Sequence, residues 1–393
     1  MRSLFDPPHD GRKLSPTVDA FIATNGIRTH LPVQFPSETP ENSGNIVHGL
    51  APHNMFHNTM SVLDPSWRKL TPSGSFREFV NENCSHLIFT MANFFRVGDF
   101  SPTMRKRYGY FARALDGYDK PIVIFGMGSQ AKSGQKLSGD ALPEEGIRCL
   151  KKIVDKAQAI SVRGDYTAEL VRRVLGRETD NVFVTGCPSY FSKPDAFEKL
   201  SQALSGPADG SFAVNVTDYS RAADQRLVRE AVRENYFLVE PANARVHQFH
   251  LDSLLSGESQ KVPAELEFLA GFGAKVPEFF RSYYRLFRHF DSWIDFNTEL
   301  VKGTVGTRFH ANMASMLSGV PSVWVTHDER TRELTETLSL PSVDIKKAEK
   351  LTVPEILEKA DFFGSLKAVP GNFKRFNEFL RAASLPEVTA PKI

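Results

Sequence analysis

Short apolar runs alternate with segments of helical period along most of this chain, and that alternation restricts the fold more than any single motif does. His86 to Asn93, Pro121 to Phe125, Ala159 to Val162 and Asn181 to Val184 have the length and apolar content of buried strands. Between them lie stripes at helical spacing. One runs through Ile147, Leu150, Val154 and Ala157, in a helix that starts near Pro143 with Glu144 and Glu145 in its first turn. The next uses Tyr166, Leu170, Val171 and Val174, with Asp165 able to cap it and Gly176 to end it. Apolar strands alternating with helices predict a parallel sheet covered on both faces.

A second alternating set begins at Phe212. It reads as strand FAVNVT, a helix near Ala222 to Asn235, strand YFLVEP and a long aromatic-rich helical region through Asp291. Strand-like TVGTRF follows with a short helix, then strand SVWVT, a helix from about Glu329 to Leu338, strand-like PSVDI, and a closing helix over Asn372 to Leu385. At 393 residues the chain exceeds one ordinary core. The expected fold class is α/β, with two Rossmann-like doubly wound domains facing a cleft. The expected division is an N-terminal arm over 1–40, a first domain over 41–200, a second over 211–370, and a C-terminal helix and tail over 371–393. The stretch Pro194 to Gly210, ending in SGPADGS, reads as the linker.

Forty-eight basic against 46 acidic residues give a net charge of +2, which argues against general nucleic-acid binding and leaves any anion site local. Cys84, Cys149 and Cys187 match no zinc or disulfide spacing, which fits a reducing, cytoplasmic setting. No apolar run reaches the roughly 18 residues of a membrane span, so at most a peripheral membrane association is expected. His48, His53 and His57 crowd one stretch, with His53 and His57 expected on one helix face. They lack the intervening Glu of a zincin, and no metal is assigned.

In open parallel sheets ligands bind beyond the carboxyl ends of strands, and polar residues of this chain collect there. Gly128, Ser129 and Gln130 belong to GMGSQ after PIVIF, read as a glycine-bearing turn. Arg163 follows AISV, and Ser189 lies in GCPS after VFVT. Arg308 and His310 sit in GTVGTRFHANMASMLSGVP, and His327 and Arg330 in HDERT after SVWVT. If Val305 to Phe309 is a strand, Arg308 and His310 point the same way and Phe309 points into the core. A short helix then begins at that pair and stops at Gly319, whose N-terminal N–H groups and guanidinium suit an anion. Arg163 before a capped helix offers a second such junction, although it could instead pair with Asp165. Cys187 has no sequence-neighbouring base and reads as a small residue in a tight turn.

These five junctions, in this order, resemble the polysaccharide pyruvyl transferase family over roughly Ser43 to Leu340. The most specific parts are VGTRFHANMASMLSGVP with HDERTREL, then SVRGDYT, TGCPS and FGMGSQ. The resemblance implies a glycosyltransferase-B-like arrangement and transfer of pyruvate from phosphoenolpyruvate to two sugar hydroxyls as a cyclic ketal, without a further cofactor. It places Arg163, Arg308 and His310 at donor-binding and catalytic positions. The acceptor would be a sugar or lipid-linked oligosaccharide, met at the inner face of the membrane. The chain departs from the family's usual Asn-x-Gly-Asp, having Asn45, Ile46, Val47 and His48 in SGNIVHGL, so Asn45 and His48 are the candidate residues there. Two other readings stay open: a nucleotide-sugar-dependent glycosyltransferase of the same architecture, and a non-catalytic carbohydrate- or anion-binding protein. On the transferase reading Arg163 and Arg308 grip the phosphate and carboxylate, and His310, held protonated by neighbouring anions, carries the proton as acid or base.

Overall fold

The computed structural model describes residues 20–24, 42–131, 135, 137–206, 209–255 and 261–393. Thirteen strands are found among the described residues: β1 Phe21–Thr24, β2 Thr59–Ser61, β3 Cys84–Thr90, β4 Asn93–Arg96, β5 Ile122–Gln130, β6 Ala157–Val162, β7 Val182–Val184, β8 Ser211–Asn215, β9 Phe237–Val239, β10 Tyr284–Arg285, β11 Val301–Gly306, β12 Ser322–Thr326 and β13 Ser342–Asp344. The first sheet runs β2-β1-β3-β5-β6-β7, with β4 paired to the far end of β5; the second runs β10-β9-β8-β11-β12-β13. Every pairing is parallel. Helices connect successive strands except β3 and β4, which follow each other directly and both pair with β5. The chain therefore folds as two Rossmann-like α/β halves.

Several expectations from the sequence are corrected. Most of the arm assigned to 1–40 lies outside the described residues, but Phe21–Thr24 is no loop: it is an inner strand between β2 and β3. GMGSQ is not a turn after the strand, because β5 bends at Gly126 (φ 63°) and continues to Gln130, where β4 pairs with it. Pro194 to Gly210 is mostly helix, Asp195–Ser205, and buries Ala196, Phe197 and Leu200. Its flanking prolines and glycines mask a helical period. His57 falls beyond the Ala51–Met55 helix and so does not share a helix face with His53.

The closing helix spans Phe362–Ala382, ten residues earlier than expected, because Asp361 caps it by accepting from the Gly364 N–H. This helix returns from the second sheet to the first. Phe376 stacks on Phe191 with centroids 4.0 Å apart, and Phe379 meets Phe125 of β5 edge-on. Asn372 donates to both the Tyr190 hydroxyl and the Leu338 carbonyl. One continuous apolar cluster thus joins Phe125 and Phe191 to Trp324 and Leu338, tying the halves beneath the carboxyl ends of their strands.

Candidate active site

Three guanidinium groups from different elements meet in one cleft between the halves. Its lining includes Asn45, Asn93, Arg163, Thr217, Arg308, His310 and Arg330, and its volume is about 90 Å³. No carboxylate is among the described lining residues. The cleft is cationic by construction.

Arg163 follows β6 and is only 2% exposed. Its Nε donates to the Gly126 carbonyl and its Nη1 to Asn93 Oδ1, each at 3.0 Å, while Nη2 is buried with no partner. Gly128 makes room for this arrangement, since a Cβ there would lie 2.6 Å from Arg163 Cδ. Burial works against the guanidinium charge; Cys187 and Glu333 support it and Arg330 opposes it. The alternative, an ion pair of Arg163 with Asp165, is not formed among the described residues. Asp165 opens the Asp165–Leu175 helix with Gly164 as N-cap, and the N–H of Thr167 in that first turn is taken by Glu333.

Arg308 is not part of a strand. β11 stops at Gly306, and Arg308 is the N-cap of the Phe309–Met316 helix, so His310 occupies the first helical turn rather than alternating with Arg308 along a strand. Phe309 is buried as expected, and the chain leaves the helix through Gly319 at φ 82°. The junction is fixed by Asn215 of β8, whose Oδ1 accepts from the Arg308 N–H at 2.8 Å and whose Nδ2 donates to Asn312 Oδ1 at 2.6 Å. Arg308 Nε donates to the Val216 carbonyl at 2.7 Å, and Nη2 reaches Glu240 Oε1 at 3.3 Å. Glu240 is itself held by the Tyr219 hydroxyl and by the N–H groups of Ala242 and Asn243. Arg330 supplies the third guanidinium. It pairs with Asp328 at 3.4 Å, and its Nε is buried without a partner.

His310 packs between His48, whose ring centroid is 4.8 Å away, and Cys187, whose Sγ is 3.5 Å from His310 Nε2. The His310 pKa is pushed well below 6.5 by burial, then by His48, Arg163 and Arg330. His48 is lowered to about 3 by burial and by Arg163. The expectation of a protonated His310 is therefore corrected: with only the protein's own charges around it, the imidazole is neutral at pH 7. Cys187, expected to lack a base, has this one beside it.

Of the residues singled out from sequence, Arg163, Arg308, His310, Arg330 and Asn45 line the cleft, and Gly128 and His48 support it from behind. The others do not line it. Ser129 is buried, its N–H and hydroxyl engaged with Thr167 Oγ1. Gln130 is exposed at the end of β5, and its carbonyl accepts from Val97. Ser189 is buried beside Cys187, 3.1 Å from its sulfur. His327 sits next to Asp328, with its Nδ1 3.4 Å from the Val325 carbonyl. Asn93, Thr217 and Glu240 were missed, although Glu240 follows β9 as directly as Arg163 follows β6 and Thr217 lies two residues past β8. Among the described residues no group of three His, Cys, Asp or Glu could hold a metal ion. No described helix is long and apolar enough to cross a membrane.

Residues 34–329 match the sequence model of the family described as polysaccharide pyruvyl transferase. The chain belongs to that family. A comparison with curated proteins returns no match. Among solved structures, the chain is similar to a UDP-N-acetylglucosamine 2-epimerase at 12% identity and a TM-score of 0.44, covering 95% of this chain and 99% of that one. It is also similar to the UDP-GlcNAc 2-epimerase of Methanocaldococcus jannaschii (10%, 0.41, covering 87% and 93%) and to a glycosyltransferase from Rickettsia africae (10%, 0.40, covering 93% and 100%). These superpositions are loose, and the reading of the cleft in this family member rests on its own residues.

The buried imidazoles make stability pH-dependent. Burial lowers His48 to about 3, and His53 and His247 to about 4. Each binds fewer protons folded than unfolded below pH 6.5, so its contribution is fully present above that value and is lost as pH falls. Glu333, raised to about 7, and Asp224, raised to about 6, act with the opposite sign, but they are fewer. Urea unfolding at pH 7 and pH 5 is expected to show lower stability at pH 5. His48→Asn should remove part of that loss, at about 1.4 kcal/mol per pH unit for one proton. Equal pH dependence in the variant and the parent would contradict the burial account of His48.

Proposed function

We propose that the cleft binds phosphoenolpyruvate and that the protein transfers its pyruvyl group to two hydroxyls of a sugar, forming a cyclic ketal. One observation carries this reading. Arg163, Arg308 and Arg330 converge on a space that also meets His310 and the start of a helix, and two of the guanidiniums keep a buried N–H group without a partner. Such groups are costly unless a ligand completes them, and a small molecule bearing a phosphate and a carboxylate supplies acceptors for both.

The neutral imidazole fits the proton balance of this reaction. Adding a sugar hydroxyl across the donor's double bond moves one proton from oxygen to the methylene carbon. A single imidazole that begins neutral can take that proton and deliver it. Departure of phosphate leaves a cation-like carbon that the second hydroxyl closes on, and that hydroxyl's proton leaves with the phosphate. A trianionic donor beside His310 stabilises its transient imidazolium, as the arginines stabilise the departing phosphate. We extend the reading to a sugar or lipid-linked oligosaccharide acceptor in the cytoplasm at the membrane face, with Asn45 on the acceptor side.

Thermal unfolding with added ligands tests the donor. A ligand that binds only the folded protein raises its stability. Phosphoenolpyruvate is expected to raise the midpoint, and UDP-sugars to leave it unchanged. The reverse result would move the protein to the nucleotide-sugar-dependent glycosyltransferases.

A further inference from the structure

Glu333 lies on the Glu329–Leu338 helix of the second half, three residues beyond Arg330 and so on the same helix face. Its carboxylate crosses to the first half. Oε1 accepts from the Thr167 N–H at 2.6 Å and Oε2 from the Thr167 hydroxyl at 3.1 Å, capping the Asp165–Leu175 helix from the other half. Thr167 Oγ1 in turn receives the Ser129 N–H, which links the contact to the end of β5 that carries Gly128 under Arg163. Gly164 is required for the approach, because a Cβ there would collide with Glu333 Cγ. The side chain is 5% exposed.

We propose that Glu333 is a positioning residue of the donor site: by clasping the start of the Asp165–Leu175 helix, it sets the spacing between Arg163 of one half and Arg330 of the other. The proposal rests on the donor reading for its natural ligand, but not for its geometry. Arg163 immediately precedes the clasped helix, and Arg330 is one turn from the clasp on the clasping helix. A shift at this contact changes the distance between two guanidiniums that share one anion. Fixed spacing is what bidentate or two-centre anion recognition needs.

Electrostatics and positioning predict opposite signs, which makes the test decisive. In its ionised form, Glu333 favours the charge on Arg163. If it acted only through charge, both Glu333→Gln and Glu333→Ala would tighten anion binding. If it positions, Glu333→Gln keeps the acceptor for the Thr167 N–H and binds as well as or better than the parent, whereas Glu333→Ala loses the clasp. Titration calorimetry with phosphoenolpyruvate on the full chain is expected to give a dissociation constant about tenfold weaker for Glu333→Ala, recovered within about twofold by Glu333→Gln, an effect of roughly 1.4 kcal/mol. Unfolding midpoints measured alongside separate this from simple destabilisation, because a structural role alone lowers the midpoint without changing the affinity of the folded fraction. Unchanged or tighter binding by Glu333→Ala would overturn the proposal. If the parent protein ignores phosphoenolpyruvate but binds inorganic phosphate, the donor reading fails and the same comparison with phosphate decides the positioning role. No affinity of the parent for either anion would overturn both.

Discussion

Arg163→Met is expected to weaken phosphoenolpyruvate binding by about a hundredfold while leaving the unfolding midpoint unchanged or raised. The two halves of this expectation come from one environment. Arg163 is buried, burial works against its charge, and no carboxylate lies within ion-pair distance of it among the described residues. Its fixed contacts are a carbonyl and an amide oxygen, and one N–H group has no acceptor. A buried cation held this way costs stability, and methionine can fill much of the space of its stem without the charge. Loss of a buried, charge-assisted contact to the ligand costs about 2–5 kcal/mol, and a hundredfold is about 2.7 kcal/mol. Arg163→Lys should rescue little, because an ammonium cannot reproduce the two-pronged hold on Gly126 and Asn93. Calorimetry of donor binding and thermal unfolding of the same preparation check both halves. A large fall in the midpoint with intact affinity would make Arg163 a structural residue.

His310→Ala is expected to reduce turnover by about 10² to 10⁴, the range for removing one positioned acid–base group, with donor affinity changed little. The separation follows from the geometry. The arginines hold the anion, whereas His310, buttressed by His48 and Cys187, contributes no charge of its own at pH 7. Removing a neutral ring leaves the cationic cradle in place. Phosphate release assayed at saturating donor, set against the calorimetric dissociation constant, distinguishes the roles. Equal losses of affinity and turnover would make His310 a binding residue, and unchanged turnover would remove it from the mechanism.

The strands and their carboxyl ends were legible because buried parallel strands read as apolar runs and the rule placing ligands beyond them needs no tertiary detail. That logic found Arg163, Arg308, His310 and Arg330. It failed where the sequence carries only local information. Ser129 and Gln130 follow the apolar part of β5, yet the strand runs on through them to pair with β4, so they never reach the cleft. The proton state of His310 depends first on its burial and then on His48, Arg163 and Arg330, which lie apart in the chain, and no local pattern reports that meeting. Glu333 lies within the helix expected from about Glu329 to Leu338, and its role is visible only once that helix is packed against Thr167 of the other half. The Asp195–Ser205 helix was hidden by its flanks, although Ala196, Phe197 and Leu200 carry the period.

The chemistry proposed for this cationic cleft is delivery of a pyruvyl group. Mass spectrometry of candidate glycans incubated with the protein and phosphoenolpyruvate, with released phosphate measured in parallel, tests it most directly. The expected product is a glycan heavier by one pyruvate less one water, with one phosphate released for each glycan modified. Transfer of a sugar from a nucleotide donor by the same protein, or phosphate release with no change in glycan mass, would contradict it.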